Sequence, residues 1–297
     1  MRFITSDRIC PAQNLMIATK NRPYDRVMLI QRIRSGQEHV FKGEKDMSTF
    51  KIYPLRLGHS EQDYAFSFAR AKFGQKIVWF MHGCFALVNN ETGELTMMDT
   101  GSRHWTEVEK YNLPWTTNVE KGPTLAECLA EIGYKPEDVK RIVVTHLHHD
   151  HCANLEIFPK DTPIYVQKAE FASACAPSPA ERFDYTWLPY HNCPYWKEHI
   201  LQFVGIEGDY EIEPGLKLLF TPGHTTGSQS VLVDTEEGQY CYAGDMYYCQ
   251  ENIDLGHQHG NCISVVDWQR SHTKIMQTGA KVLALHTPDT FDRKVYG

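Results

Sequence analysis

Apolar and polar residues alternate along several short runs between residues 50 and 99, with the two-residue period that is typical of β-strands. The runs cover residues 50–55, 77–80, 84–88 and 95–99. Asparagine, glutamate, threonine and glycine occupy positions 90–93, and such residues favour tight turns. The pattern predicts an antiparallel meander that forms one half of a β-sandwich.

The hydrophobic period lengthens after residue 122. Leu125, Leu129 and Ile132 share one face of a predicted helix, which ends before Gly133. A predicted strand at 141–145 follows. This order of helix, strand and loop predicts an α/β fold, in which functional sites lie at the carboxyl ends of strands.

Strand and helix patterns continue to the end of the chain. Further strands are predicted at 164–166, 216–220, 230–234, 240–243 and 281–285. One further helix is predicted from about Gln167 to just before Pro177. The last predicted helix covers 268–278, with Asp267 as its N-cap and Gly279 after its end.

The segment 177–204 is rich in aromatic residues and is interrupted by prolines. Its aromatic residues are Phe183, Tyr185, Trp187, Tyr190, Tyr195 and Trp196. Two interpretations remain open, because binding loops and structural loops share this composition. The segment is either a flap that lines an apolar substrate pocket or a surface insertion packed by its own aromatic side chains.

Composition excludes several classes of protein. The chain has 297 residues, of which 42% are hydrophobic and 23% charged, as in ordinary globular proteins. Its net charge of −7 argues against a nucleic-acid partner, which requires a basic surface. No apolar run has the length of a membrane span, and the first residues lack the apolar core of a signal peptide.

The cysteines indicate the compartment. Nine are present, without a Cys-x-x-Cys pair. An odd number of scattered cysteines predicts reduced thiols, and therefore a cytoplasmic protein. The oligomeric state stays open, with a homodimer among the options.

The first 47 residues differ from the rest of the chain. Their charges are mixed and they offer little apolar material for a core. We therefore predict a poorly ordered N-terminal extension at 1–47 and a catalytic domain at 48–297.

The richest candidate site follows the predicted strand that ends at Thr145. Four potential metal ligands lie within the next six residues: His146, His148, Asp150 and His151. Neutral imidazole and carboxylate both suit zinc and similar divalent ions. A solvated polar loop is the alternative, but histidine is too scarce for that to be the better interpretation.

Three later residues extend the pattern. His224, Asp245 and His286 each follow an apolar run. Taken singly, a histidine at a strand end is more often structural, and a Gly-Asp pair is more often a turn. Their joint appearance behind the histidine cluster is what favours a metal site.

These motifs together resemble those of the metallo-β-lactamase superfamily. The resemblance covers the chain from about residue 51 onward and implies a four-layer αββα sandwich. It further implies that His146, His148 and His224 hold one metal ion, and that Asp150, His151 and His286 hold a second. Asp245 would bridge the two ions, and Asp99 is either a supporting residue behind the metals or an ordinary turn residue.

The resemblance implies a hydrolase with two divalent ions, most simply zinc. Two such ions lower the pKa of a shared water and polarise a carbonyl group. Asp245 argues against a true β-lactamase, where cysteine or serine is typical at that position. The short tail after His286 argues against a glyoxalase II, which carries a further helical domain.

Tyr248 makes the chain most similar to the acyl-homoserine lactonase branch. A tyrosine three residues after the bridging aspartate donates to the substrate carbonyl in that branch. A packing role for Tyr248 is the alternative. Asp150 is also implied as the residue that carries a proton to the leaving alkoxide.

The sequence therefore predicts a hydrolase that opens a small-molecule lactone, with an N-acyl homoserine lactone as one candidate. A thioesterase or amide hydrolase on the same metals is the alternative enzyme, and a metal-binding protein without catalysis is a weaker one. A further metal site at His257 and His259 is less favoured than a polar loop. His149 is expected to face away from the metals.

Overall fold

The computed structural model describes residues 49–102, 117–185, 187–188, 191–192 and 194–297. The predicted extension at 1–47 and part of the aromatic segment lie outside the described residues. The strands are β1 Phe50–Asp63, β2 Ile77–Asn89, β3 Leu95–Met98, β4 Thr117–Lys121, β5 Val139–Val143, β6 Ile164–Gln167, β7 Trp187–Leu188, β8 His191–Asn192, β9 Phe203–Ile206, β10 Tyr210–Glu213, β11 Leu216–Phe220, β12 Gln229–Thr235, β13 Gly238–Tyr242 and β14 Lys281–Leu283. The α-helices are α1 Tyr64–Ser67, α2 Leu125–Glu131, α3 His149–Cys152, α4 Lys168–Cys175, α5 Gln250–Leu255 and α6 Val265–Gln277.

Two mixed sheets form the centre of the fold. The first has the strand order β4-β1-β2-β3-β5-β6-β9, and the second has the order β10-β11-β12-β13-β14. Strands β1, β2 and β3 pair antiparallel, as the meander prediction requires, whereas β3, β5, β6 and β9 pair parallel. In the second sheet only β14 is parallel to its neighbour, β13.

Apolar side chains fill the space between the sheets. Ile52, Phe85 and Leu87 from the first sheet pack with Leu218 and Val231 from the second. All five are fully buried. Because successive residues of a strand point to opposite faces, this packing uses only half of the apolar residues in β2.

Helices cover the two outer faces. Ala86, on the other face of β2, packs with Leu129 of α2 and Ala174 of α4. Trp268 of α6 packs on Cys241 of β13. The layers are therefore helix, sheet, sheet and helix, and the predicted αββα sandwich is confirmed.

Some predicted boundaries are wrong. The runs at 77–80 and 84–88 belong to one strand, β2, which pairs with β1 along its whole length. His82, between the two runs, is buried and forms hydrogen bonds with Ser60 and Ser102. Strand β5 ends at Val143 rather than at residue 145, since the Thr145 amide donates to the Asp99 carboxylate instead of to a neighbouring strand.

The N-cap of α6 also differs from the prediction. The cap is Ser264, whose hydroxyl accepts from the Asp267 amide at 3.2 Å, so Asp267 lies inside the first turn. Val265 and Val266 are exposed, so the apolar face of the helix begins only at Trp268, and the apolar pattern alone places the start of the helix too late. Strand β14 ends at Leu283 rather than at residue 285.

The described part of the aromatic segment contributes to the core. Tyr185 and Trp196 are buried and pack in the layer between the first sheet and its helices. These two side chains therefore belong to the core of the domain, where Tyr185 contacts Glu170 and Trp196 contacts Phe171, both of α4. The side chains of Trp187 and Tyr190 lie outside the described residues.

Two further predictions can be compared with the described residues. Each of the seven cysteines in the described ranges is a free thiol. No helix in the same ranges combines the length and the apolar content that crossing a bilayer requires.

Candidate metal centre

The loop between β5 and α3 points alternate side chains to opposite sides. Leu147 is 1% exposed and packs in the core beneath the first sheet. His146 and His148, on either side of it, belong instead to a cluster of polar side chains above the strand end. Asp150 and His151 follow in α3.

A first group of candidate ligands forms around His224, on the loop between β11 and β12. Its Nε2 atom lies 3.1 Å from Nε2 of His146 and 3.0 Å from Nδ1 of His148. All three side chains are buried. His148 therefore faces this group with its Nδ1 atom, whereas His146 and His224 face it with Nε2.

A second group combines Asp150 and His151 of α3 with Asp245 and His286, which follow β13 and β14. The Nε2 atoms of His151 and His286 each lie 3.0 Å from Oδ1 of Asp245. Oδ2 of Asp150 lies 4.0 Å from Nε2 of His286. Within each group the ligand atoms all lie within 4.8 Å of one another.

Asp245 lies between the two groups. While its Oδ1 faces His151 and His286, its Oδ2 lies 3.3 Å from Nε2 of His224 and 3.7 Å from Nε2 of His146. One carboxylate oxygen is therefore directed to each group. This is the arrangement that a bridging ligand requires.

Hydrogen bonds on the far side of each ring determine which nitrogen carries the proton. Nδ1 of His224 donates to the Asn261 carbonyl at 2.9 Å, and Nδ1 of His286 donates to the Met81 carbonyl at 2.7 Å. Because a neutral imidazole has one N–H, the Nε2 atoms of both rings carry lone pairs toward the cluster.

His146 is oriented in the same way. The Thr145 hydroxyl donates to Asp99 and therefore accepts from Nδ1 of His146 at 3.0 Å. Nε2 of His146 then has a lone pair, as does Nε2 of His224, which is only 3.1 Å away. Two such nitrogens repel each other unless a cation lies between them.

The residues present therefore fit two divalent cations. The buried Nε2 atom of His151 has no hydrogen-bond partner among the described residues, although it faces a carboxylate oxygen. Unsatisfied buried nitrogens of this kind are explained when they bind a metal ion. A donor set of imidazoles and carboxylates suits zinc and related ions.

The electrostatics of the first ligand group agree with this fit. Burial lowers the pKa of His146, His148 and His224, which favours the neutral imidazole that a metal requires. Burial raises the pKa of Asp245, but the adjacent histidines more than offset this effect and hold it well below its usual range. Asp245 is therefore ionised at neutral pH.

Asp99 supports the cluster from behind. Its Oδ2 accepts from Nδ1 of His151 at 2.8 Å and from the hydroxyl of Thr145 at 2.8 Å. The Tyr242 hydroxyl donates to the same oxygen. Of the two interpretations of Asp99, the supporting residue is the one that these contacts favour.

Tyr248 lies beside both ligand groups. Its ring centroid is 5.1 Å from that of His286 and 6.0 Å from that of His224. The adjacent Tyr247 faces away from the cluster, and its hydroxyl bonds to Nδ1 of His272 at 2.9 Å. Of the two tyrosines, Tyr248 is therefore the one that lies next to the candidate ligands.

His259, which the sequence pattern places in a polar loop, lies beside Tyr248. It is buried, stacks on Tyr248 at 4.1 Å, and its Nδ1 accepts from the Asn261 amide. Neither His257 nor His259 belongs to a group of metal-ligand geometry among the described residues. His149 is likewise outside both groups and contacts Phe183.

Comparison with protein-family models points to one superfamily for most of the chain. The model of the metallo-beta-lactamase superfamily matches residues 84–294, which include all seven candidate ligands.

Two curated relatives are N-acyl homoserine lactonases. One, from a Bacillus species, is 37% identical over 172 residues, which cover 57% of this chain and 61% of that protein. The other, from Bacillus thuringiensis, is 34% identical over 220 residues, which cover 70% and 80%. The chain therefore spans about three fifths of the first relative and four fifths of the second.

Solved structures of similar fold include a quorum-quenching N-acyl homoserine lactone lactonase. It is 27% identical, with a TM-score of 0.66, and the match covers 82% of this chain and 95% of that one. An N-acyl homoserine lactone hydrolase with N-hexanoyl-L-homoserine bound at its catalytic metal centre has a TM-score of 0.67. At 24% identity, over 83% of this chain and 96% of that one, it supports the fold alone.

Proposed function

The chain belongs to the metallo-β-lactamase superfamily, and we propose that it is a metal-dependent hydrolase that opens the ring of N-acyl homoserine lactones. The position of Asp245, with one oxygen toward each ligand group, is the observation that carries the proposal. The lactonases among its relatives support the choice of substrate. Such an enzyme would have a quorum-quenching activity.

The metals are proposed to be two zinc ions. His146, His148 and His224 would hold one ion, and Asp150, His151 and His286 would hold the other. Asp245 would contribute to both. When bound, such a pair supplies hydroxide at neutral pH and polarises a carbonyl group.

Tyr248 is proposed to bind the lactone carbonyl. Burial, together with the charges of Asp245 and Asp150, raises the pKa of its hydroxyl well above the usual value, which keeps it protonated. A protonated phenol can donate to the negative charge that develops on the carbonyl oxygen. It would therefore stabilise the transition state of ring opening.

Asp150 is proposed to carry the proton that the reaction requires. Opening a lactone with water breaks the ring C–O bond and gives a carboxylate and an alcohol, so the leaving oxygen must be protonated. The Asp150 side chain is 14% exposed, whereas Asp245 is 2% exposed. Asp150 is thus the candidate carboxylate that substrate reaches more easily.

A cavity beside the cluster can take the rest of the substrate. It has a volume of about 410 Å³, and Tyr248 and His286 form part of its wall. Apolar residues of β2, among them Ile77 and Trp79, line it as well. A concave, largely apolar cavity of this size suits a small molecule with an acyl chain.

A thioesterase or an amide hydrolase on the same metals is the alternative. Turnover of a panel of homoserine lactones, thioesters and β-lactams, with metal content measured on the same samples, tests the proposal. Lactone turnover by the metal-loaded protein is expected. Activity confined to thioesters would overturn the lactonase assignment but leave the metal site intact.

We also propose a cytoplasmic location, which the free thiols of the described cysteines support.

The N-terminal extension at 1–47 is proposed to be dispensable for chemistry. A homodimer is a further proposal, and the mass of the protein in solution tests it.

A further inference from the structure

Glu170 is a buried acid outside the seven candidate ligands. It lies in the first turn of α4 and its exposed fraction is 0%. Glutamate is rarely fully buried unless it is paired or hydrogen-bonded. Its surroundings therefore need an explanation.

Glu170 accepts hydrogen bonds from both loops that carry the first ligand group. Its Oε1 accepts from the Leu147 amide at 2.8 Å, between His146 and His148 in sequence. Its Oε2 accepts from the Thr225 hydroxyl at 2.6 Å, directly after His224. One side chain thus links two segments that are almost 80 residues apart.

Two further donors complete the set. The Tyr185 hydroxyl donates to Oε1 at 3.0 Å, and the Gly227 amide also bonds to the carboxylate. Burial raises the pKa of Glu170, and the four hydrogen bonds oppose that rise. Only the carboxylate form can accept from all of them.

We propose that Glu170 is a positioning residue that sets the spacing of His146, His148 and His224, and with it the affinity for the ion that these histidines hold. The inference rests on the metal-binding part of the proposed function. It assigns to Glu170 no contact with substrate.

Close packing on both sides of Glu170 supports this role. A Cβ atom at Gly227 would lie 2.0 Å from the Glu170 amide nitrogen, so the His224 loop is pressed against the start of α4. On the other side, the ring of Tyr185 lies edge-on to His148 at 4.7 Å. A shift of the carboxylate would therefore be passed to both loops.

The second ligand group has other supports. His151 is bound by Asp99, and His286 by the Met81 carbonyl. Neither contact involves Glu170. Loss of the Glu170 carboxylate is therefore expected to weaken the binding of the ion held by His146, His148 and His224, and not the binding of the other ion.

The test measures equilibrium zinc binding by competition with a chelator, on the full chain. Glu170→Gln keeps the shape but turns an amide NH₂ toward a donor, and Glu170→Met removes both acceptors. We expect one of the two ions to bind about 10- to 100-fold more weakly, as for other residues that support metal ligands. The effect should be larger for methionine than for glutamine.

Two milder variants keep the inference testable if the Glu170 variants fold poorly. Thr225→Val and Tyr185→Phe each remove a single donor and keep the carboxylate, so a smaller loss at the same ion is expected. Gln202→Met is the matched control, because Gln202 is also a buried hydrogen-bonding residue, but it bonds to the carbonyls of Pro159 and Thr162. It should leave both zinc affinities unchanged.

Combination with ligand variants identifies the affected ion. In the His148→Ala background, which already lacks a ligand of the same ion, Glu170→Met should cause little further loss of zinc affinity. In the His286→Ala background it should cause its full loss. The inference would be overturned if the Glu170 variants bound both ions equally more weakly. It would also be overturned if they were less stable but kept both zinc affinities unchanged. If the wild-type protein does not bind two ions, the proposed metal site itself fails.

Discussion

Nδ1 of His151 lies 2.8 Å from Oδ2 of Asp99, and both side chains are fully buried. This hydrogen bond turns the other nitrogen of His151 toward Asp245. Asp99 adopts a φ of 60°, a left-handed conformation that a residue with a Cβ atom rarely takes. Strained backbone of this kind is typical of functional sites.

Asp99→Asn tests the importance of this contact. The amide keeps the size of the side chain but loses the charge that holds the His151 N–H, so metal affinity or turnover should fall about 10- to 100-fold. Metal content after dialysis and kcat, measured on the same samples, check the result. Unchanged values for both would mean that Asp99 serves only the turn.

Asp245→Ala tests the shared carboxylate. Because Asp245 faces both ligand groups, the variant should lose one of two metal ions and nearly all turnover. Asp234→Asn is a suitable control, since Asp234 bonds to Gln239 on β13 and not to the cluster. Full activity with two ions retained in the alanine variant would contradict the proposed bridge.

Tyr248→Phe separates catalysis from metal binding. Removal of the hydroxyl should lower kcat about 10²- to 10³-fold, as for loss of one oxyanion donor, and metal content should not change. Tyr247→Phe is the matched control, because that hydroxyl bonds to His272 on the opposite side. Equal effects of the two changes on kcat would argue for a packing role at both positions.

The histidine cluster could be predicted because it follows a strand of β-branched residues and its ligand spacing is compact. His224, Asp245 and His286 are weak candidates singly, and their convergence followed from the resemblance to a family. Strands β13 and β14 deliver two of them side by side, which the order of elements along the chain does not reveal.

The groups that orient the candidate ligands through hydrogen bonds could not be predicted from residue types. The carbonyls of Asn261 and Met81 orient His224 and His286, and a backbone carbonyl has no sequence signature. Glu170 is one acid in a short helix, where an exposed position is the usual expectation. The start of α6 is ambiguous in the sequence for another reason: Ser264 and Asp267 both suit an N-cap, and the apolar face begins only after Val265 and Val266.

Because of His199, we expect the free energy of unfolding to depend on pH independently of the metal site. It is 2% exposed, and burial lowers its pKa below the usual value near 6.5. The charged groups near it are Lys160, Glu156 and Glu198, none of which is a candidate ligand.

The sign of the effect of His199 follows from proton linkage. Its folded-state pKa is lowered, so the unfolded chain binds the proton more readily as the pH falls below about 6.5. His199 therefore contributes stability above that pH and loses it on acidification, by at most about 1.4 kcal/mol per pH unit. His199→Gln should flatten the fall in unfolding free energy between pH 6.5 and 5, measured by urea titration. The flattening should be the same in metal-loaded and metal-stripped protein, and a difference between the two would tie His199 to the metal centre after all.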